Sequence, residues 1–292
     1  MSAPVDPARG AAGTVTLACP AKINLFLELL GRRDDGYHEI ETLITTIDLC
    51  DELEVVVGPP GIELTVEGDP SVPAGPENLV WRAAAAVLRP DEGVRITLRK
   101  RIPAGSGLGG GSSDAAGALR ALDRLFGLRA RGTDLSRVAA GLGSDVPFFL
   151  HGGVAICSGR GDIVEPLDVA PDLPLVLFHP PESLSTAEVY AHSKVPLTPR
   201  RGESRLLAGF LESQRSDPID ERLFNRLEPA AFFLSAAVRH THDRLLALGL
   251  RGARLSGSGS TLFAVTDQVP ERLNMQGVTV CRAHTLPRTL MT

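Results

Sequence analysis

The stretch Pro103-Ala104-Gly105-Ser106-Gly107-Leu108-Gly109-Gly110-Gly111-Ser112-Ser113-Asp114 sets five glycines and three serines between a strand-like run and a helix-like run. Glycine reaches φ > 0 and lets backbone N–H groups close on an oligophosphate, and the N-terminus of the following helix adds free N–H donors and a partial positive charge. A phosphate cradle is the expected structure and a nucleotide the expected ligand. A flexible linker is disfavoured, because the periodic segments on either side need a connection of defined geometry.

Gly105, Gly107 and Gly110 also fit the G-x-G-x-x-G spacing of a dinucleotide fold, but the first strand of that fold is buried on both faces and continuously apolar. Here Val94, Ile96 and Leu98 alternate with Arg95, Thr97 and Arg99, the pattern of a half-exposed strand. No Gly-Lys-Ser/Thr follows the glycines, so a Walker loop is excluded. Neither His-Arg-Asp nor Asp-Phe-Gly occurs, so a protein-kinase loop is excluded as well. A third kind of phosphate loop remains, capped by a helix starting near Ser112 to Asp114.

The 292 residues are 43% apolar, enough for one or two domains, with two preferred. A formal charge of −5 supplies no global basic field, so no nucleic-acid partner is expected. Lys100-Arg101 reads either as a solvated strand end or as charge near phosphates. Cys19, Cys50, Cys157 and Cys281 are scattered and form no C-x-x-C pair, so neither a zinc site nor a disulfide framework is suggested and a reducing cytoplasm fits. No run reaches the roughly 18 apolar residues that span a bilayer, so no membrane partner is expected. Residues 1–14, rich in Ala, Gly and Pro, read as a disordered extension.

Strand patterns cover Thr16 to Ala18, Ile23 to Leu30, Glu41 to Asp48, Glu52 to Val57 and Ile62 to Val66. Asn78 to Leu88 is Ala-rich with helical spacing. In the helix after the glycine loop, Ala115, Ala118, Leu119, Leu122, Leu125 and Phe126 form one apolar stripe, and small residues in its first turns allow close approach to a sheet. Asp145 followed by Pro147 suggests a helix start. Beyond a Pro-rich passage at Pro166 to Pro174 come the strand Leu175 to Phe178 and helices at Ser185 to His192, Ser204 to Ser213, Leu223 to Glu228 and Ala230 to Leu248. The turn Ser256-Gly257-Ser258-Gly259-Ser260 then leads into the strand Thr261 to Val265. Mixed strands and helices without strict alternation predict an α+β class.

Four separated segments resemble one family. Pro20-Ala21-Lys22-Ile23-Asn24-Leu25-Phe26-Leu27, with Asp35-Gly36-Tyr37-His38 after it, is similar to the opening of the 4-diphosphocytidyl-2-C-methyl-D-erythritol kinases of the GHMP superfamily. The glycine loop resembles that superfamily's ATP-phosphate motif. Leu142 to Phe149 resembles the segment with its catalytic aspartate, and Leu255 to Ala264 its third, glycine-rich motif. The resemblance implies a two-domain fold: an N-terminal ATP-binding α/β domain with the glycine loop (15–168) and a ferredoxin-like C-terminal domain (169–292), with ATP and substrate meeting in the cleft. It implies transfer of the γ-phosphoryl of ATP to the 2-hydroxyl of the methylerythritol unit, in the non-mevalonate route to isoprenoid precursors.

Site residues follow from the same resemblance. Asp145 is the candidate base, with a helix cap as its alternative role, and Lys22 is its natural cationic partner, able to stabilise the transferring phosphoryl group. Lys22 and Asn24 sit two apart in an otherwise apolar strand and so share a face, which disfavours a solvated edge lysine. Asn24, Tyr37 and His38 are expected to bind substrate, the tyrosine stacking on cytosine and the histidine bonding its polar edge. Tyr190 matches an aromatic position opposite, with helix-face packing as its alternative, and Thr186 is a further substrate contact. Asn78 matches an asparagine near adenine and fits an N-cap equally well. Arg32 and Arg33 read as turn-tip charges.

Ser106, Ser112 and Ser113 are expected to donate to phosphate oxygens. Mg²⁺ is expected with ATP, keeping several waters, with Ser112 or Ser113 in reach; no acidic ligand is identified and no metal residue is assigned. A monomer or weak homodimer is expected. Two rival readings stay open: a related kinase acting on homoserine, mevalonate or a sugar, and a silent nucleotide sensor on the same fold.

Overall fold

Apolar runs around Ala21 to Leu30 and Leu43 to Leu49 lie in two long strands. A computed structural model describes residues 13–195, 198–213, 219–268 and 277–287. Residues 1–12 of the expected extension lie outside the described residues, and β1 (Thr14–Arg32) begins at its end. β2 (His38–Val57) follows. The sequence pattern divides each strand in two, at Pro20 and between Asp48 and Glu52, yet both are continuous. A later strand pairs with β1 only at Phe26 and Leu27, so Pro20 lies on a stretch with a strand neighbour on one side, where a missing N–H is tolerated.

The chain forms two compact units, interleaved in sequence: the first takes residues up to Pro20, Cys50–Ala104 and Gly110–Leu150, and the second Ala21–Leu49, Gly105–Gly109 and the residues from His151 onward. The sequence breaks in β1 and β2 therefore coincide with the points where the chain passes between units.

In the first unit, β3 (Gly61–Glu67) pairs in parallel with β4 (Gly93–Arg99), which pairs antiparallel with the end of β2, Val55 opposite Ile96. Val94, Ile96 and Leu98 are buried, as their alternation predicts. Three helices, α1 (Leu79–Ala85), α2 (Gly110–Phe126) and α3 (Leu135–Leu142), pack on one another, and α4 (Val146–His151) follows. Burial on α2 is wider than the expected stripe, running from Ser113 through Leu119 without a break, while Leu125 and Phe126 are only half-buried. The small residues there let the helix sink deeply into its neighbours.

In the second unit, the start of β2 pairs with β5 (Val154–Ser158) and β5 with β6 (Ile163–Leu167), while β1 pairs in parallel with the short β8 (Phe224–Asn225). A separate antiparallel sheet has the order β11-β7-β10-β9, from β7 (Pro174–His179), β9 (Arg254–Leu255), β10 (Leu262–Val265) and β11 (Thr279–His284). That is a ferredoxin-like order. Helices α5 (Thr186–His192), α6 (Glu203–Glu212), α7 (Glu228–Leu234) and α8 (Ala236–Ala247) complete the unit. Phe178, Val189, Leu227, Val238, Leu245, Leu255 and Leu262 share its core.

Three helix expectations need correction. The Asn78 to Leu88 helix spans only Leu79–Ala85. The Leu223 to Glu228 segment is β8 and a turn rather than a helix, because Asn225 spends its side chain on distant backbone. The expected long helix from Ala230 to Leu248 is two helices broken at Ser235, whose hydroxyl accepts from Val238 N at 3.1 Å and so starts α8 anew.

Candidate active site

Strand geometry puts Lys22 and Asn24 on one face of β1, and the structure uses it. Lys22 is 3% exposed, and its Nζ donates to Asn24 Oδ1 at 2.6 Å. Asn24 Nδ2 donates to Thr42 Oγ1 at 2.8 Å, and Thr42 Oγ1 donates to the Phe26 carbonyl at 2.6 Å. A buried ammonium is costly unless its polar surroundings compensate, and this relay fixes its direction.

The same lysine joins two glycine-rich loops. Its backbone N–H donates to Leu108 O at 2.9 Å, and Thr261 N donates to Ser106 O at 3.0 Å. Ser256 Oγ donates to Gly107 O at 3.1 Å, and a Cβ on Gly107, whose φ is +78°, would collide with the Ser256 carbonyl. A Cβ on Gly257 would lie 2.8 Å from Lys22 Nζ. Gly107 requires glycine because backbone meets backbone with no room between, and Gly257 takes a φ of +55°, which side chains rarely adopt. Thr186 Oγ1 lies 2.9 Å from Ser258 Oγ. Within the second unit, Lys22, Asn24, Thr186 and residues 105–109 and 256–260 thus form one connected group.

A second cluster in this unit is aromatic. The His38 and Tyr190 rings lie 5.5 Å apart at 40°, and the Arg160 guanidinium sits over the Tyr37 ring at 4.8 Å. Tyr37 is 53% exposed, leaving ring surface for a ligand. Burial, with the charge of Arg32, holds the His38 pKa below its ordinary value, so the neutral imidazole offers one donor and one acceptor. Arg160 escaped the sequence reading. Its only local signal is the glycine-flanked turn Gly159-Arg160-Gly161-Asp162, which Glu39 anchors by accepting from Gly159 N at 3.1 Å. Arg33 pairs with Asp35 and Glu39, as a turn-tip charge does.

In the first unit, Pro103 and Ala104 lead into the loop, and Gly110, Gly111, Ser112 and Ser113 form the first turn of α2. Ser113 Oγ is buried without a hydrogen-bond partner among the described residues. A Cβ on Gly143 would lie 3.9 Å from Ser112 Oγ, so the segment bearing Asp145 passes beside that turn. Asp145 is half-buried, and among the described residues its carboxylate accepts no hydrogen bond. Asp145 stands at the start of α4, its carbonyl accepting from Phe149 N at 3.4 Å.

Lys100 is not a solvated strand end, and its Nζ lies 3.2 Å from where a Cβ on Gly110 of the glycine loop would be. Its side chain is 4% exposed and ion-paired with Asp51 and, at 2.7 Å, with Asp114. Asp51 Oδ1 also accepts from the Arg101 and Ile102 N–H groups. Burial pushes the Asp114 carboxyl up to about 7, against the opposing pull of Lys100 and with help from Asp51. Asn78 caps α1: Oδ1 accepts from Val80 N at 2.9 Å and Nδ2 donates to Pro73 O at 2.7 Å. Among the described residues no cluster of three His, Cys, Asp or Glu could hold a metal ion, and no helix is long and apolar enough to cross a membrane.

Residues 78–153 match the GHMP kinases N terminal domain and residues 206–273 the GHMP kinases C terminal family. A 4-diphosphocytidyl-2-C-methyl-D-erythritol kinase of Pelotomaculum thermopropionicum is 43% identical over 257 residues, covering 86% of this chain and 89% of its own. One of Geobacter sp. strain M21 is 40% identical, with the same two coverages. The crystal structure of a 4-(cytidine 5'-diphospho)-2C-methyl-D-erythritol kinase matches with a TM-score of 0.75 at 35% identity, over 93% of this chain and 99% of that one. A homoserine kinase structure from Cytophaga hutchinsonii, at 18% identity and a TM-score of 0.70 over 96% of each chain, shares the fold.

Proposed function

The chain belongs to the 4-diphosphocytidyl-2-C-methyl-D-erythritol kinases of the GHMP superfamily, and from that premise we propose how its residues divide the work of phosphoryl transfer. The enzyme uses ATP to phosphorylate the 2-hydroxyl of 4-diphosphocytidyl-2-C-methyl-D-erythritol, giving the 2-phosphate and ADP, in the non-mevalonate route to isoprenoid precursors.

The observation that carries the division is the buried Lys22, aimed by Asn24 and in contact with both glycine-rich loops. Phosphoryl transfer needs alignment and stabilisation of charge on the equatorial oxygens more than covalent help from the protein. Lys22 supplies a fixed positive charge for those oxygens. Backbone N–H groups of residues 105–113 and the hydroxyls of Ser106, Ser112 and Ser113 hold the phosphates, with Pro103 and Ala104 shaping the entry to the loop. Asp145, its carboxylate unclaimed among the described residues, receives or orients the proton of the tertiary alcohol. Tyr37 and Tyr190 stack on cytosine, His38 bonds its edge, and Asn24 and Thr186 contact the substrate. Asn78 serves the ATP side by fixing the start of α1.

Mg²⁺ accompanies ATP in this reading. The unpartnered, buried Ser113 hydroxyl fits a hard cation that otherwise keeps phosphate oxygens and water. When bound, the ion neutralises phosphate charge. The protein works in the cytoplasm as a monomer or weak homodimer.

ADP release with ATP and Mg²⁺ tests the reaction, comparing 4-diphosphocytidyl-2-C-methyl-D-erythritol with mevalonate, homoserine, galactose and no acceptor. Turnover with the cytidyl compound alone is expected; preference for another acceptor, or turnover with none, overturns the assignment.

A further inference from the structure

Asn225 ends β8, in a segment to which the sequence assigns no role. Its side chain is buried, and three hydrogen bonds occupy it: Nδ2 donates to Leu255 O at 2.7 Å and Gly257 O at 2.8 Å, and Oδ1 accepts from Leu227 N at 2.9 Å. Only a side-chain amide combines two N–H donors with an acceptor in this way. β8 is itself fixed to β1, with Asn225 opposite Leu27 and Arg226 N donating to Leu27 O at 2.8 Å. One amide therefore ties residues 255–257 to the strand that bears Lys22 and Asn24. Glu228 Oε1 holds the same segment, accepting from Leu255 N at 2.9 Å.

Residues 255–257 are where the loops meet the lysine. Gly257 closes on Lys22 Nζ and lies near Asn24 Oδ1, 3.4 Å from where its Cβ would be. Ser256 bonds the Gly107 carbonyl through its hydroxyl, and its own carbonyl packs against Gly107. A shift of this segment moves Lys22 and the Gly107 backbone together. The hydrogen bonds of the Asn225 side chain go to the backbone of residues 227, 255 and 257, not to the Tyr37 and His38 cluster.

We propose that Asn225 is a positioning residue for phosphoryl transfer, holding the Leu255 and Gly257 carbonyls so that the intervening loop keeps the Lys22 ammonium and the Gly107 backbone in register. The inference rests on the reading of Lys22 given above. Misplacement by about 1 Å is enough to cost on the order of 10²-fold in rate.

The test compares wild type, Asn225→Asp and Asn225→Ser in kcat, in calorimetric affinity for 4-diphosphocytidyl-2-C-methyl-D-erythritol without ATP, and in thermal unfolding. Asn225→Asp turns a double donor into an acceptor facing two carbonyls. Its kcat is expected to fall about 10- to 100-fold with substrate affinity held within about 3-fold. Its kcat relative to wild type should then recover as pH falls from about 8 to about 6, because a buried carboxyl titrates high and regains one donor when protonated. Asn225→Ser, which adds no charge and keeps the test open if the aspartate variant folds poorly, should show the fall without the recovery. Both variants within about 3-fold of wild-type kcat, or rate and affinity lost in parallel with a flat pH ratio, would overturn the proposal. No turnover by wild type would overturn the functional reading, and this inference with it.

Discussion

The proposed role of Asp145, half-buried at the start of α4, is tested at the scale of a single side chain. Asp145→Asn keeps the shape and removes the basicity. We expect kcat to fall by about 10² or more with ATP affinity within a few fold, and unchanged kcat in single-turnover measurements would remove it from that role. Lys100 makes a contrasting case. Lys100→Met would leave Asp51 and Asp114 buried together without their cation, which should cost about 3–5 kcal/mol in urea denaturation; a loss below 1 kcal/mol would mean that the carboxyls find other compensation. Period two makes the Lys22 and Asn24 pairing legible in the sequence. The partners of Lys100 and the place of Arg160 over Tyr37 were not, because each depends on strands that meet far apart in the chain.

At the scale of elements, the strand–loop–helix order around the glycines was legible, since alternation in β4 and the apolar face of α2 carry their own periods. Boundaries were not, wherever a polar side chain reaches backbone. Ser235 splits one apparent helix into α7 and α8 by capping the second, and Asn225 draws a helical pattern into β8. Asn78 differs, since its fit as the N-cap of α1 was legible in the sequence, and its two uses can be separated. Asn78→Ala should lower stability by about 1 kcal/mol, the ordinary value of an N-cap, while raising the KM for ATP only a few fold. A large KM effect without loss of stability would assign the side chain to the nucleotide instead.

Across the whole molecule, the two interleaved units could not be read from a sequence that runs linearly, because β1 and β2 serve both. One ion pair in the second unit bears on overall stability. Burial pushes the Glu28 carboxyl up, but the Arg226 fork and the N–H groups of Arg200 and Leu29 outweigh it and hold its pKa below the ordinary value. The folded state then binds fewer protons than the unfolded one. Its stabilising contribution is complete above the unfolded value of about 4.3 and is lost as pH falls through the folded-state pKa. Glu28→Gln should be less stable than wild type at neutral pH, with the gap in melting temperature closing toward about pH 3; a gap independent of pH would contradict this.

The pairing of Phe26 with Phe224 joins two strands that lie far apart in the order of synthesis. β1, apolar from Ala21 to Leu29 except for Lys22, Asn24 and Glu28, is made well before its β8 neighbour. Until β8 docks, Phe26 and Leu27 of the strand carrying the lysine present an unpaired edge, the kind of surface that invites pairing with another chain.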